Sequence, residues 1–193
     1  SPSRGLGDVY KRQAQRQAGR TVVIDANLRP SVMPNLDMYR RHVLTALQYA
    51  DVIKASDEDL DCLRLPGTSA AAQAQHLLQY SRASVLALTR GSEGAALLTR
   101  HGQLFQARET MPLAVVDTVG AGDCFLAGLV ASMLQHKLAT DWGSATVKEE
   151  VARVLLSSAI ASASLCVMQR GCVPPTRAEV LQRMGSVEMA FVV

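Results

Sequence analysis

Short runs of β-branched and aliphatic residues alternate along the chain with longer segments of helical period, and this alternation restricts the fold more than any other feature. Thr21 to Asp25 (TVVID), Asp51 to Lys54 (DVIK) and Val85 to Thr89 (VLALT) are short runs with β-branched or aliphatic centres, which read as strands. Between them, Leu36, Tyr39, Val43 and Leu47 recur at three- and four-residue steps, as one face of a helix requires. Strands separated by helices give an α/β layer architecture around a largely parallel sheet. With 193 residues, 48% hydrophobic and 19% charged, the chain has ample material for a buried core.

Local signals place the remaining elements. Ser56 and Asp59 stand in capping-box relation at the start of a short helix that Pro66 and Gly67 close. Thr68 or Ser69 opens an alanine-rich helix reaching Tyr80. Ala95 to Thr99 and Gln103 to Phe105 are expected as an antiparallel hairpin about His101 and Gly102. Val115 and Val116 are expected to lead as a strand into a glycine-rich turn, after which Phe125, Leu129 and Met133 stripe a helix. A long helix carrying Val147, Val151, Val154, Leu155 and Leu165 ends near Gly171, and Thr176 with Glu179 caps a last one.

Charge and cysteine usage exclude several function classes. Residues 1–20 hold five of the 20 basic residues and one of the 17 acidic ones, so the rest of the chain balances 15 against 16. A groove that tracks nucleic-acid phosphates must be built from Lys and Arg in the folded body, and that surplus is missing. Cys62, Cys124, Cys166 and Cys172 lack both CxxC spacing and the density of a secreted disulfide scaffold, which leads us to expect reduced, mostly buried thiols. No apolar run is expected to approach the roughly 20 residues that span a bilayer, so a cytoplasmic protein without a membrane partner is expected. His42, His76, His101 and His136 are scattered, and neither they nor Trp142 are assigned a role in chemistry.

Chemistry concentrates in Asp117-Thr118-Val119-Gly120-Ala121-Gly122-Asp123. Free N–H groups and the positive end of the helix dipole make such a turn an anion site. Gly120 and Gly122 lack the Cβ atoms that would hold a phosphate away from the backbone. The stretch is not a Walker loop, which needs GxxxxGK[ST], and it lacks the third glycine of the dinucleotide fingerprint. It does carry a carboxylate directly after the anion-binding turn. There Asp123 would repel phosphate unless it served as base for an incoming hydroxyl. The plain structural reading makes Asp123 or Asp117 a helix cap.

The string DTVGAGD followed by Cys124-Phe125-Leu126-Ala127-Gly128 resembles the DTxGAGD signature of the PfkB/ribokinase family of carbohydrate kinases, and the resemblance runs from about Gly19 to Val180. It implies a ribokinase-like three-layer α/β/α fold that binds ATP with Mg2+, with the phosphates over Gly120, Ala121 and Gly122 and Asp123 as base. Asp25-Ala26-Asn27-Leu28-Arg29 resembles the family's D-x-N-x-R, which implies substrate contacts for Asp25, Asn27 and Arg29. Lys54, Ser56 and Asp59 fall on a K-x-S-x-x-E pattern tied to the magnesium–phosphate region through water, with Asp59 one methylene shorter than the family's Glu. Thr89, Gly91 and Gly94 fall on the T-x-G-x-x-G turn against the nucleotide. Asp117, Val119 and Gly171 match positions that hold K+ in many relatives.

Within the family the pattern is most similar to bacterial fructokinases, with 2-keto-3-deoxygluconate kinases or other PfkB sugar kinases as the alternative. A non-catalytic nucleotide-binding fragment or regulatory module is the alternative of another class. A dehydrogenase of Rossmann type is disfavoured, because the glycine turn comes late and no acid follows about 20 residues on at a strand end. Residues 1–18 are expected as a disordered tail or a gene-assembly artefact, and 19–193 as the C-terminal nucleotide-binding part. The family's N-terminal sugar-binding segment and lid are expected to be missing, leaving the strand at 21–25 as an open sheet edge. The resemblance implies a small-molecule sugar and ATP as partners, and a homodimer for a full-length protein.

Overall fold

The computed structural model describes residues 20–136 and 147–192, with backbone alone from 189 onward. It contains a mixed sheet of six strands in the order β1-β2-β3-β4-β5-β6, with helices on both faces. These residues fall into two compact units: 20–88 with 98–102, and 89–97 with 103–136 and 147–192. Residues 1–18 and Trp142 lie outside the described residues.

In the first unit, β1 (Val23–Asp25) runs parallel to β2 (Val52–Ser56), with Val23 opposite Val52 and Asp25 opposite Lys54. Strand β2 is buried over its first four residues, as is β3 (Val85–Thr89), the continuous burial of strands covered on both faces. Three helices accompany them: α1 (Leu36–Leu47), α2 (Asp57–Leu63) and α3 (Ala70–Tyr80). Asn35 caps α1 through a bond from Met38 N–H, Ser56 and Asp59 form the expected capping box on α2, and Ser69 caps α3. The expected strand from Thr21 shortens to three residues, and the Val22 N–H bonds instead to the Asp51 carboxylate at 2.8 Å. Among the described residues β1 ends the strand order and pairs only with β2, an open edge of the kind the sequence leads one to expect.

The second unit holds most of β4 (Ala95–Thr99), with β5 (Leu104–Glu109) and β6 (Val187–Val192). Strand β6 pairs antiparallel with β5, Leu104 opposite Val192 and Glu109 opposite Val187. The sequence reading contained no β6, because MGSVEMAFVV follows a capped helix without any turn dipeptide to announce a strand. Its helices are α4 (Ala121–Gln135), α5 (Glu149–Val167) and α6 (Arg177–Arg183). Thr176 and Glu179 cap α6 as their spacing predicts. One expectation is corrected: Val115 and Val116 form no strand and are 57% and 59% exposed. The segment is held instead by the end of α5, whose Val167 carbonyl accepts from both Val116 and Asp117 N–H.

Helices α4 and α5 form the core of this unit, and α4 contributes buried Cys124, Phe125, Leu129 and Met133. They approach closely at Gly128, where an added Cβ would lie 2.4 Å from Ser162 Oγ and 2.8 Å from the Ser158 carbonyl. Ser158 Oγ donates to the Gly128 carbonyl at 3.1 Å, satisfying a hydroxyl that the contact buries. A second correction concerns α5, which at 19 residues is long and apolar enough to cross a bilayer. Because 61% of its most apolar stretch is buried, it serves here as a core helix.

Candidate phosphate-binding turn and its neighbours

Gly120 is the N-cap of α4 and adopts φ 81°, a left-handed conformation natural to glycine. Its carbonyl accepts the first helical bond from Cys124 N–H at 2.8 Å, and Ala121 N–H turns back to the Thr118 carbonyl at 3.2 Å. Among the described residues the N–H groups of Gly122 and Asp123 have no acceptor. They are two of the orphan donors that a helix start exposes, lying where the dipole is positive. Position 120 is also sterically closed, since a Cβ there would stand 2.2 Å from Cys172 Sγ and 2.4 Å from its Cβ.

The Asp123 side chain is exposed, and among the described residues no hydrogen bond or ion pair engages it. A cap would show its carboxylate accepting an amide at its own helix start. The engaged carboxylate is instead that of Asp117, three residues before Gly120, and it bonds ahead of the helix rather than at its first turn. Asp117 Oδ1 accepts from Val119 N–H at 3.0 Å and Oδ2 from Gly171 N–H at 2.9 Å. Those two backbone donors hold the Asp117 carboxyl below the usual carboxylate range. The structure therefore gathers Asp117, Val119 and Gly171 at one point and clamps the turn to the loop after α5.

The Thr89–Gly94 segment forms a tight 3-10 turn, closed by Arg90 N–H to the Gly94 carbonyl at 2.9 Å. Gly91 takes φ 52° in open space. Gly94, at φ 90°, passes so close to β5 that a Cβ would lie 2.2 Å from the Ala107 carbonyl. This glycine is required by packing as well as by conformation.

The remaining candidates belong to the first unit. Asp25 and Lys54, opposite one another on β1 and β2, form an ion pair at 3.2 Å with side chains 14% and 6% exposed. Asn27 adopts φ 42°, a left-handed conformation that Asn tolerates better than most residues, so the chain turns sharply off the end of β1. Arg29 is exposed, its Nη1 donating to the Leu28 carbonyl at 2.9 Å while its N–H bonds Tyr39 Oη at 3.1 Å. Asp59 is buried and fully engaged: Oδ1 accepts from Leu28 N–H at 2.7 Å and Oδ2 from Ser56 N–H at 2.8 Å. Ser56 Oγ in turn accepts from Asp59 N–H at 3.0 Å. Both side chains are thus committed to bracing the Asn27–Arg29 bend and capping α2.

Two features lay outside the sequence reading. Cys124, Cys166 and Cys172 converge in the second unit, their sulfurs all within 4.8 Å of one another. Spacings of 42 and 6 residues carry no signal for that, because it depends on α4 lying against the end of α5. A cleft of about 560 Å³ is lined by Thr110, Met111, Leu165, Glu179, Arg183 and Ser186, among others. Its walls include β6-proximal residues, and β6 itself was not anticipated. The four histidines are exposed.

Comparison with known proteins places these observations in context. A family profile described as pfkB family carbohydrate kinase matches residues 3–179. A fructokinase of Rhizobium leguminosarum bv. trifolii is 34% identical over 148 residues, covering 76% of this chain and 44% of that protein. The crystal structure of a fructokinase with bound ATP from Xylella fastidiosa superposes with a TM-score of 0.76 at 28% identity, over 92% of this chain and 55% of that one. An aminoimidazole riboside kinase from Salmonella enterica, complexed with aminoimidazole riboside and an ATP analog, gives a TM-score of 0.75 over 92% of this chain and 57% of that one. At 23% identity it attests the ribokinase-like fold alone. The chain spans about half the length of the relatives it matches.

Proposed function

Since the chain belongs to the pfkB family of carbohydrate kinases, we propose that it is the nucleotide-phosphate part of an ATP-dependent sugar kinase, with Asp123 as the base that takes the acceptor hydroxyl's proton. The observation behind this reading is local. An exposed, unengaged carboxylate stands at the third position of a helix whose Gly122 and Asp123 N–H groups lack acceptors. Amides in that state favour the oxygens of a transferring phosphoryl group, and they are already oriented before it arrives. When bound, ATP would supply the phosphoryl group and an accompanying Mg2+ would offset charge on its phosphates.

The protein's own steps are simple. The α4 amides hold phosphate oxygens, and Gly120 keeps the turn open to them. Asp123 accepts the proton as the sugar oxygen bonds to phosphorus and the bond to the leaving diphosphate breaks. General-base assistance of this kind is worth about 10²–10⁴ in rate. For the substrate we favour fructose, on the 34% identity with a fructokinase. Arg29 is proposed to bind acceptor oxygens, with Asp25 and Asn27 shaping the bend that presents it and Lys54 neutralising Asp25. Ser56 and Asp59 are proposed to reach a metal–phosphate group only through water. Asp117, Val119 and Gly171 are proposed as a monovalent-cation position, and Thr89, Gly91 and Gly94 as a turn against the nucleotide. Unchanged turnover on exchanging K+ for Na+ would remove the cation proposal.

The second reading is a nucleotide-binding module without turnover, which would use the same acceptor-free Gly122 and Asp123 amides and make no use of Asp123 as a base. Two measurements on this chain separate the cases. ATP but not NADH should raise its melting temperature, and phosphate transfer from ATP to fructose should fall by about 10²–10⁴ in Asp123→Asn while ATP binding persists. ATP binding with no transfer by the unmodified chain supports the module. Stabilisation by NADH instead would refute both.

A further inference from the structure

We propose that Cys124, Cys166 and Cys172 form a binding site for one thiophilic d10 metal ion, such as Zn2+ or Cd2+, placed directly behind Gly120. Sulfurs no more than 4.8 Å apart all lie within about 2.8 Å of a common point, against a metal–sulfur distance of about 2.3 Å in thiolate sites. Closing that gap takes roughly half an ångström per sulfur, within the reach of side-chain rotation about χ1. The ligand set is soft, which selects d10 ions over magnesium or calcium.

The protein environment fits such an ion. Cys124 sits in the first turn of α4 and Cys166 in the last turn of α5, both buried, so two ligands come from rigid, mutually packed helices. Cys172 is exposed in the loop that follows, which gives an ion a way in and leaves a coordination position for water. The preceding residue, Gly171, donates its N–H to the Asp117 carboxylate, which anchors the loop that carries Cys172. On binding, the thiol protons leave to solvent and three sulfur–metal bonds form.

The site's consequence is mechanical. Gly120 packs directly against Cys172, so an ion that fixes Cys172 fixes the loop on which the turn rests. Cys62, the remaining cysteine, lies on α2 in the first unit and serves as an internal control.

The test is a Cd2+ titration of the intact chain under a phosphine reductant, following thiolate-to-cadmium charge-transfer absorbance and melting temperature. We expect one Cd2+ per chain and a rise in melting temperature. Cys62→Ser should leave both unchanged, and Cys172→Ser, at an exposed position that does not threaten folding, should weaken binding at least tenfold. X-ray absorption on the Cd2+ or Zn2+ form should count three sulfur neighbours. Cd2+ binding that survives Cys172→Ser at full strength, depends on Cys62, or shows fewer than three sulfurs overturns the proposal, as does no uptake at all.

Discussion

Substituting Gly120 by Ala should damage the fold through two separable causes. The first is conformational: φ 81° places a residue bearing Cβ in the left-handed region, which costs about 1–2 kcal/mol. The second is steric, since the new Cβ would meet Cys172 Sγ at 2.2 Å and Cys172 Cβ at 2.4 Å, both far inside van der Waals contact. Overpacking of this kind typically costs about 1–3 kcal/mol. The total expected for Gly120→Ala is thus about 2–5 kcal/mol, read as a lower urea midpoint at unchanged slope. Cys172→Gly removes both clashing atoms, so the double variant should recover the steric part and keep the conformational part. The cycle would then show a favourable coupling of about 1–3 kcal/mol between the two sites. Full additivity would refute the contact, and a Gly120→Ala variant as stable as the parent would refute the left-handed cap as well.

Other parts of the structure make further predictions. Asp59→Ala strips the acceptors from Leu28 and Ser56 N–H in a buried setting and should cost about 2–5 kcal/mol by urea denaturation, whereas Asp59→Asn, which keeps one acceptor, should cost less. Glu109 and Arg183 pair at 2.9 Å with side chains 10% and 13% exposed, so Glu109→Gln, which leaves the guanidinium buried without its charge partner, should destabilise by about 3–5 kcal/mol. Burial opposes the charge on Glu109, but bonds from Ser186, Arg183 and Met111 N–H outweigh it and lower its pKa. Its contribution is therefore present above the pKa of a free glutamate and lost as pH falls through the lowered value; an acid titration of stability should lose that component in Glu109→Gln. Lys54→Met, which removes the cation paired with the Asp25 carboxylate, should destabilise more than Lys54→Met combined with Asp25→Leu; the reverse order by urea midpoint would contradict a buried ion pair.

The readable parts of this fold were those with local causes. Capping boxes at Ser56/Asp59 and Thr176/Glu179 follow from side chains three residues apart, and both are present. The buried strands at Val52–Ala55 and Val85–Leu88 could be read from their short β-branched and aliphatic runs between helical segments. The glycine turn at 120–122 could be located because a left-handed cap and a helix start leave a compositional trace. What escaped notice depends on distant partners. Val115 and Val116 have strand composition, yet they bond to the end of α5 rather than to a sheet. Strand β6 exists because β5 offers an edge some 80 positions earlier in the chain. Asp59's second task, holding Leu28 N–H from 31 residues away, is invisible beside its capping role. The cysteine triad likewise appears only once α4 and α5 pack together.

Phosphate transfer from ATP to fructose by the chain and by Asp123→Asn, with ATP affinity measured on the same samples, probes the turn most directly. We predict a rate loss of about 10²–10⁴ with ATP affinity unchanged or slightly tighter, since the substitution removes a negative charge beside the phosphates. Equal rates in the two proteins, or loss of ATP binding together with the carboxylate, would contradict Asp123 as the base.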